Sequence, residues 1–577
     1  MVPFLLLSVA VLRTAPEPPL FSIEAGAHSG AVRGIAVDPQ GRFMVTASDD
    51  KTMRVWELPS LRPLQVLRPP AGAALREGQL YALALSPNGK TAAVGGWTGK
   101  EDDFSIYLFD LTSGKLTRRI GGLPEIVQTL AFSPDGGRLA AGLGSPHGLR
   151  VFSLGGDPTF ADDTYEGAVR SIVYDAAGRF AACAQDGTVR LYSPKGEVLA
   201  EAEPFPDSQP VHLAFSPEGD RLAVTDERTS FVAILDGKSL KTLSIPNREG
   251  QTKAFEKLAW SADGAYLYAG GYHRDSDLRY MVRRWALNDL GHATDFPVGD
   301  DSIHALSAQP GGGVAFASGA GFGLLGTDGR VRRVERAAPD LRELIVSGRV
   351  SDNGDTVRFS YHREGGDPVS FSVADRRLDT QPPADPERSP GHPAYTVTEG
   401  FKVTYWYNNS QPRLNDEVLE LEPGEQSRSL ALLHDASGFI LGASWTLRRY
   451  DRDGRQLWAV YTPGAAWAVN PTKDGRLVVA ACADGTVRWY RMSDGEELLA
   501  LFAHPDRKRW VLWTPSGYHD LNEGAPGLLG WSENHGADGA AEFHPVDEKL
   551  YRPGVISRIL TTLDEAEAVR LADAARQ

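Results

Sequence analysis

With 577 residues, 60 basic against 75 acidic side chains and a formal net charge of −15, the chain is too long for one ordinary core. It is also too acidic for nucleic acid to be a general partner, because phosphate binding needs a cationic face and no Lys/Arg-rich run supplies one. The composition, 42% hydrophobic and 23% charged, is that of a soluble globular protein, and two cysteines, Cys183 and Cys482, exclude a disulfide framework.

Val2 to Leu12 is an apolar run long enough for a signal-peptide core and too short to span a bilayer. No Lys or Arg precedes it, and Arg13-Thr14-Ala15-Pro16 is a poor cleavage site. Two readings stay open, an exported protein (periplasmic or extracellular) and a cytoplasmic one whose terminus is a hydrophobic strand or frayed tail. Neither includes a stable membrane span. Residues 1–18 are set apart on this basis as a signal-like or disordered segment.

A repeat dominates the rest of the chain. Gly30-Ala31-Val32-Arg33 through Phe43 matches Gly167-Ala168-Val169-Arg170 through Phe180 at nine of fourteen positions. Each is followed by a similar second half, Ala47 to Trp56 in one and Ala184 to Tyr192 in the other. A repeated unit that cannot bury its own apolar faces is copied until its neighbours cover it, so function is expected on a shared surface and not in one catalytic cluster. The unit reads as β: Leu80 to Leu85 alternates, a Ser-Pro-Asn-Gly turn follows at Ser86 to Gly89, and Thr91 to Val94 and Ile106 to Phe109 supply further strands. The turn recurs with its glycine at Gly41, Gly89, Gly136, Gly178, Gly219, Gly264 and Gly312, spaced 41 to 48 residues apart, the period of a propeller blade. It continues at Gly354, Gly438, Gly475 and Gly517, and the wide gap before Gly438 has room for a turnless unit built on Phe401 to Trp406 and Glu417 to Leu421. About twelve units are expected.

A first propeller is placed at 19–339, with Phe21-Ser22-Ile23 closing it by pairing into its last blade, and a second, less regular one at 340–545. Gln381 to Pro393 is a Pro-rich insert read as a loop between blades. Residues 546–577 change to helical spacing at Val555, Ile556, Ile559, Leu560, Leu563, Ala566 and Val569, with Thr562 and Glu565 as a capping box opening the last helix.

His28-Ser29-Gly30 followed by Val55-Trp56 resembles the Gly-His to Trp-Asp frame of the WD-repeat family. The resemblance implies an all-β fold of tandem propellers, seven blades plus five or more, and a structural tetrad of His28, Ser48, Asp50 and Trp56. It also implies that residues beside the blade Asp and early in the first strand face a partner, here Arg33, Asp49, Arg170 and Gln185. Asp186 with Tyr192 and Asp484 with Tyr490 keep only part of the frame. The tail Trp510 to Tyr518, then Gly530-Trp531 and Tyr551-Arg552-Pro553, is similar to the end of the double WD-repeat region of bacterial proteins that continue into a caspase-like peptidase domain. Ala92 to Gly99 and Leu498 to Phe502 fit that group too, and the downstream peptidase domain is absent from this sequence.

Catalytic signals fail on inspection. Gly89-Lys90-Thr91 lacks the glycine that a phosphate loop needs five positions before its Gly-Lys, and Asp451-Arg452-Asp453-Gly454 lacks the later ligands of a calcium loop. The pairs His147-Gly148 and His535-Gly536 have no cysteine with a nucleophile's surroundings, since Cys183 and Cys482 fall in small-residue strands. The reading is a non-catalytic scaffold for a protein or peptide partner, with no catalytic residue, metal or cofactor implied. The alternatives are the regulatory region of a bacterial caspase-like cysteine peptidase and a propeller-channel enzyme. The latter would place His, Arg or Asp residues at one point of successive units, as Arg33 and Arg170 begin to do.

Overall fold

Runs in which every second side chain is apolar become strands because a pleated backbone sends alternate residues to opposite faces. Gln79–Leu85 shows this most plainly, its burial alternating residue by residue. The computed structural model describes residues 20–72, 76–99, 102–228, 231–251, 253–342, 349–363, 368–382, 397–398, 401–536 and 538–576. The N-terminal apolar run and most of the Pro-rich insert lie outside the described residues. Among these residues the strands form twelve antiparallel sheets, ten of them four-stranded.

Seven sheets follow one another at residues 32–67, 79–123, 127–162, 169–202, 210–244, 255–299 and 303–334. The first strand of each packs against the first strand of the next, and Ile303–Ala308 packs against Val32–Val37, so blades 1 to 7 close into a ring. Second strands are buried on both faces, which is why they read as small residues: Phe180–Ala184 is buried throughout. Outer strands such as Val198–Ala202 are largely exposed.

Blade 1 is tied internally by a buried relay. His28 Nδ1 lies 2.8 Å from Asp50 Oδ2, His28 Nε2 lies 2.7 Å from Thr46 Oγ1, and the Trp56 indole N–H donates to Thr46 Oγ1 at 2.8 Å. The bridging hydroxyl is therefore Thr46 and not the expected Ser48. Trp56 stands opposite Met44, so a side chain two residues along is within reach and one four along is not. Ser48 instead ties the loop, donating to the Gly30 carbonyl at 3.0 Å and accepting the Asp50 N–H at 3.1 Å. Blade 4 reaches a similar end with different residues. Tyr165 and Tyr192, at the positions of His28 and Trp56, meet hydroxyl to hydroxyl at 2.8 Å, and Tyr192 donates to Asp162 at 2.7 Å.

The strand Leu20–Ile23 does not pair into the last blade of the ring. It pairs with Leu529–Glu533, Phe21 opposite Trp531 and Ile23 opposite Leu529. Blade 7 already holds four strands of its own, whereas Phe21 and Ile23 pack against a core that includes Ala338, Phe502 and Trp513. The remaining sheets share cores in turn: 397–418 with 427–461, and 427–461 with the six-stranded sheet 466–521. The sheet 349–379 shares a core with 466–521 as well, the Trp489 indole donating to the Gly354 carbonyl at 2.7 Å. The turn expected at Gly438 takes its left-handed residue from Ala436 (φ 55°), because Gly438 already belongs to the next strand, where a Cβ would meet the Tyr450 carbonyl at 2.0 Å.

Two helices, α1 (Pro553–Thr562) and α2 (Glu565–Ala574), cover the core shared with 466–521 through Val555, Ile556, Ile559, Ala568 and Ala572. The cap of α2 is Asp564, whose carboxylate accepts the Glu567 N–H at 2.8 Å, and not the expected Thr562. Thr562 ends α1, and its hydroxyl is turned back to the Arg558 carbonyl at 3.1 Å.

The ring meets the rest of the chain at polar points besides Leu20–Ile23. Arg76 is held between Trp97 of blade 2 and Trp445, its guanidinium 4.3 and 4.1 Å from the two ring centres. Arg342 binds Asp301 at 2.8 Å and Asp340 at 2.5 Å.

Thr46→Val should lower stability by about 1–3 kcal/mol, because it leaves the His28 ring nitrogen and the Trp56 N–H unpaired in the core, and Trp56→Ala by about 3–5 kcal/mol. Chemical unfolding of the two variants beside the parent chain checks both. At the junction, burial pushes the Asp340 carboxyl up, but its bonds to Arg342 and the charge of Arg336 at 2.7 Å outweigh this and hold it at about 2. A carboxyl lowered in this way stabilises the fold fully above pH ~4 and loses that contribution as pH falls through its folded value, so roughly 2 kcal/mol should disappear between pH ~4 and ~2. In melting curves recorded across that window, Asp340→Asn should flatten the pH dependence.

Candidate functional site

All seven inner strands carry the same irregularity. Their pairing with the second strand slips at one residue, between Val32 and Gly34 in blade 1, and at the matching place in every other blade. A bulge leaves one residue outside the ladder and re-aims its side chain. Those residues are Arg33, Tyr81, Gln128, Arg170, Val211, Glu256 and His304, six of them polar or aromatic, set at one level around the ring axis. Val32, Leu80, Val127, Val169, Phe255 and Ile303, immediately before, are fully buried. The bulged residues other than Val211 are partly or fully exposed.

Of the four residues expected to face a partner, the structure brings Arg33 and Asp49 together and separates the other two. Arg33 grips Asp49 through Nε at 3.0 Å and Nη2 at 2.8 Å. Arg170 reaches across to Glu227 of blade 5, 3.3 Å away, and Gln185 accepts the Ala168 N–H at 3.4 Å. Tyr81 donates to Gln79 at 2.8 Å, and His304 Nε2 lies 3.4 Å from the Ser302 hydroxyl.

Burial pushes His304 down to about 3, with the charges of Arg33, Lys257 and Arg342 adding to the effect and Asp301 opposing it. Its ring is therefore neutral at neutral pH. Burial lowers His212 well below its usual range too, and Lys257 adds to that; its Nδ1 accepts the Leu258 N–H at 3.3 Å, which leaves the proton on Nε2. Glu256 is raised by burial, and Lys257 is lowered by burial and by Arg33 and Arg170 against the pull of Glu256. The mouth thus offers paired charges, neutral imidazoles, an amide and a phenol, a set suited to hydrogen-bonding and ion-pairing with a polypeptide. Burial pushes the Cys183 thiol up to about 12, so it is held protonated behind the inner strands. Among the described residues no group of three or more His, Cys, Asp or Glu side chains is placed to hold a metal ion. Asp451 serves as a turn residue, accepting the N–H groups of Asp453 and Arg455.

Tyr81, Gln128, Glu256 and His304 escaped the sequence reading, yet a signal for them exists. Each bulged residue stands eight positions before the turn glycine of its blade, from Arg33 and Gly41 to His304 and Gly312. The count holds beyond the ring: Trp467 precedes Gly475 by eight and Arg428 precedes Ala436 by eight, both at bulges, with the Arg428 guanidinium 5.2 Å above the Trp467 ring.

Comparison with known proteins matches the repeat. The family model for "WD domain, G-beta repeat" matches residues 19–57 and 160–193, which contain the blade 1 relay and its blade 4 counterpart. The ribosome biogenesis protein BOP1 homologs of Culex quinquefasciatus and Anopheles gambiae are 32% and 33% identical over 85 residues, 15% of this chain and 9% of each relative. Telomerase protein component 1 of Rattus norvegicus is 26% identical over 277 residues, 46% of this chain and 10% of that protein. The chain thus spans about a tenth of the length of these relatives.

Proposed function

We propose that this protein is a binding scaffold that recognises a protein or peptide partner at the axial mouth of its seven-bladed ring. The observation that carries the reading is the alignment of Arg33, Tyr81, Gln128, Arg170, Glu256 and His304, one from each of six blades, at the only ladder slip their inner strands share with one another. A bulge repeated at one level sacrifices a ladder position in every blade, and a mouth that presents those side chains gives the sacrifice a use. The ring fixes the side chains from behind, so docking a partner orders little backbone, which favours affinity. Asp49 extends the surface outward through its grip on Arg33, and Gln185 lies on the corresponding loop of blade 4.

Affinity capture from an extract of the source cells, with the full chain as bait, tests the reading. Tyr81→Ala and Arg170→Glu should each reduce recovery of the captured partner at least about tenfold while the melting temperature stays within a few degrees of the parent, since neither side chain belongs to a buried core contact. Unchanged recovery with both variants would move the binding surface away from this mouth.

A further inference from the structure

One step deeper in the channel, next to each bulge, the inner strands carry a second row of residues. Gly34, Ala82 and Ala305 are small, and at Gly34 an added Cβ would meet the Leu83 Cβ of the next blade at 2.6 Å. Thr129, Ser171 and His212 join blades: their side chains accept the N–H groups of Ile172, Leu213 and Leu258 at 3.4, 3.2 and 3.3 Å. Lys257 holds the same place in blade 6 and cannot do that work, because an ammonium has donors and no acceptor.

The surroundings of Lys257 show what it is short of. It is partly exposed, and among the described residues its ammonium makes neither a hydrogen bond nor an ion pair. Arg33 and Arg170 lie within its electrostatic reach, and each already has a carboxylate of its own, Asp49 and Glu227. The flanking imidazoles of His212 and His304 are neutral and add hydrogen-bonding capacity without charge. The preceding Glu256, released from the ladder by the bulge, draws on the ammonium electrostatically, but among the described residues no carboxylate closes to ion-pair distance, so the cation is left without a bound counter-ion.

We propose that the channel takes one carboxylate of an acidic peptide segment on a protein partner, with Lys257 as its counter-ion and Arg33 and Arg170 flanking the approach. The inference rests on the reading of the mouth as a protein-binding face. One ammonium without a paired counter-ion, beside Glu256, matches a single carboxylate; a phosphate dianion would meet the Glu256 carboxylate with too little positive charge.

The test is fluorescence anisotropy with the full chain at low salt, using two labelled pentapeptides that alternate glycine with glutamate or with glutamine. The glutamate peptide should bind at least about tenfold more tightly, Lys257→Met should abolish the preference, and Lys257→Arg should retain it. Equal binding of the two peptides, or a preference that survives in folded Lys257→Met, overturns the inference; so does inorganic phosphate displacing the peptide about tenfold more effectively than acetate. If Lys257→Met does not fold, the comparison of peptides on the parent chain and on Lys257→Arg still decides. Equal binding that Tyr81→Ala weakens would remove the carboxylate inference and leave the protein-binding mouth standing.

Discussion

A four-stranded sheet with two apolar faces is unstable until both are covered, and in this protein each sheet is covered by the next. The inner strands bear most of that burden. They pack one against another around the axis, and Ile303–Ala308 meeting Val32–Val37 turns an open row into a ring without exposed faces. The second strands, enclosed by neighbours on both sides, admit only small or well-fitted residues, as at Ala181, Ala182 and Cys183. Among the described residues the ring uses no exchanged strand for closure: packing, and hydrogen bonds such as Val32 N–H to the Gly319 carbonyl at 2.7 Å, hold blades 1 and 7 together.

The same inner strands supply the surface proposed for recognition, and the two roles are separated by a single residue. Flanking positions such as Val32 and Val169 stay fully buried and hold the ring, while the bulged positions are released from the ladder and display their side chains at the mouth. Because the backbone slips at the same point in each blade, side chains far apart in sequence arrive at one level. Variation at those positions leaves the covering interactions intact, so the mouth can change its chemistry without cost to the fold.

The remainder of the chain is fastened to the ring by contacts of a different kind. Leu20–Ile23 crosses from the start of the chain to pair with Leu529–Glu533, and the Asn534 side chain exchanges hydrogen bonds with the Ala71 backbone at 2.7 and 3.1 Å. Arg76 between two indoles and Arg342 between two carboxylates add specific, directional ties. Such ties fix orientation more than they add stability, since much of their Coulomb energy is offset by desolvation.

Local chemistry made the repeat legible. A turn glycine needs positive φ, and a half-buried strand needs alternation, so the period, the β class and the helical tail could be read directly from the order of residues at Gly41 to Gly312 and from Val555 to Val569. Arg33 and Arg170 were visible for the same reason, as equivalent positions in two nearly identical units. What only the tertiary structure decided depends on register and on neighbours distant in sequence: that Thr46 and not Ser48 lies within reach of Trp56, that Phe21 and Ile23 find their cover at residues 529–533, and that Asp564 caps the last helix. The axial mouth belongs to this second class. Tyr81, Glu256 and His304 share no residue type, only a count of eight to the turn glycine whose meaning the register supplies, and they meet because seven bulges close around one axis, a relation that exists only once the ring has formed.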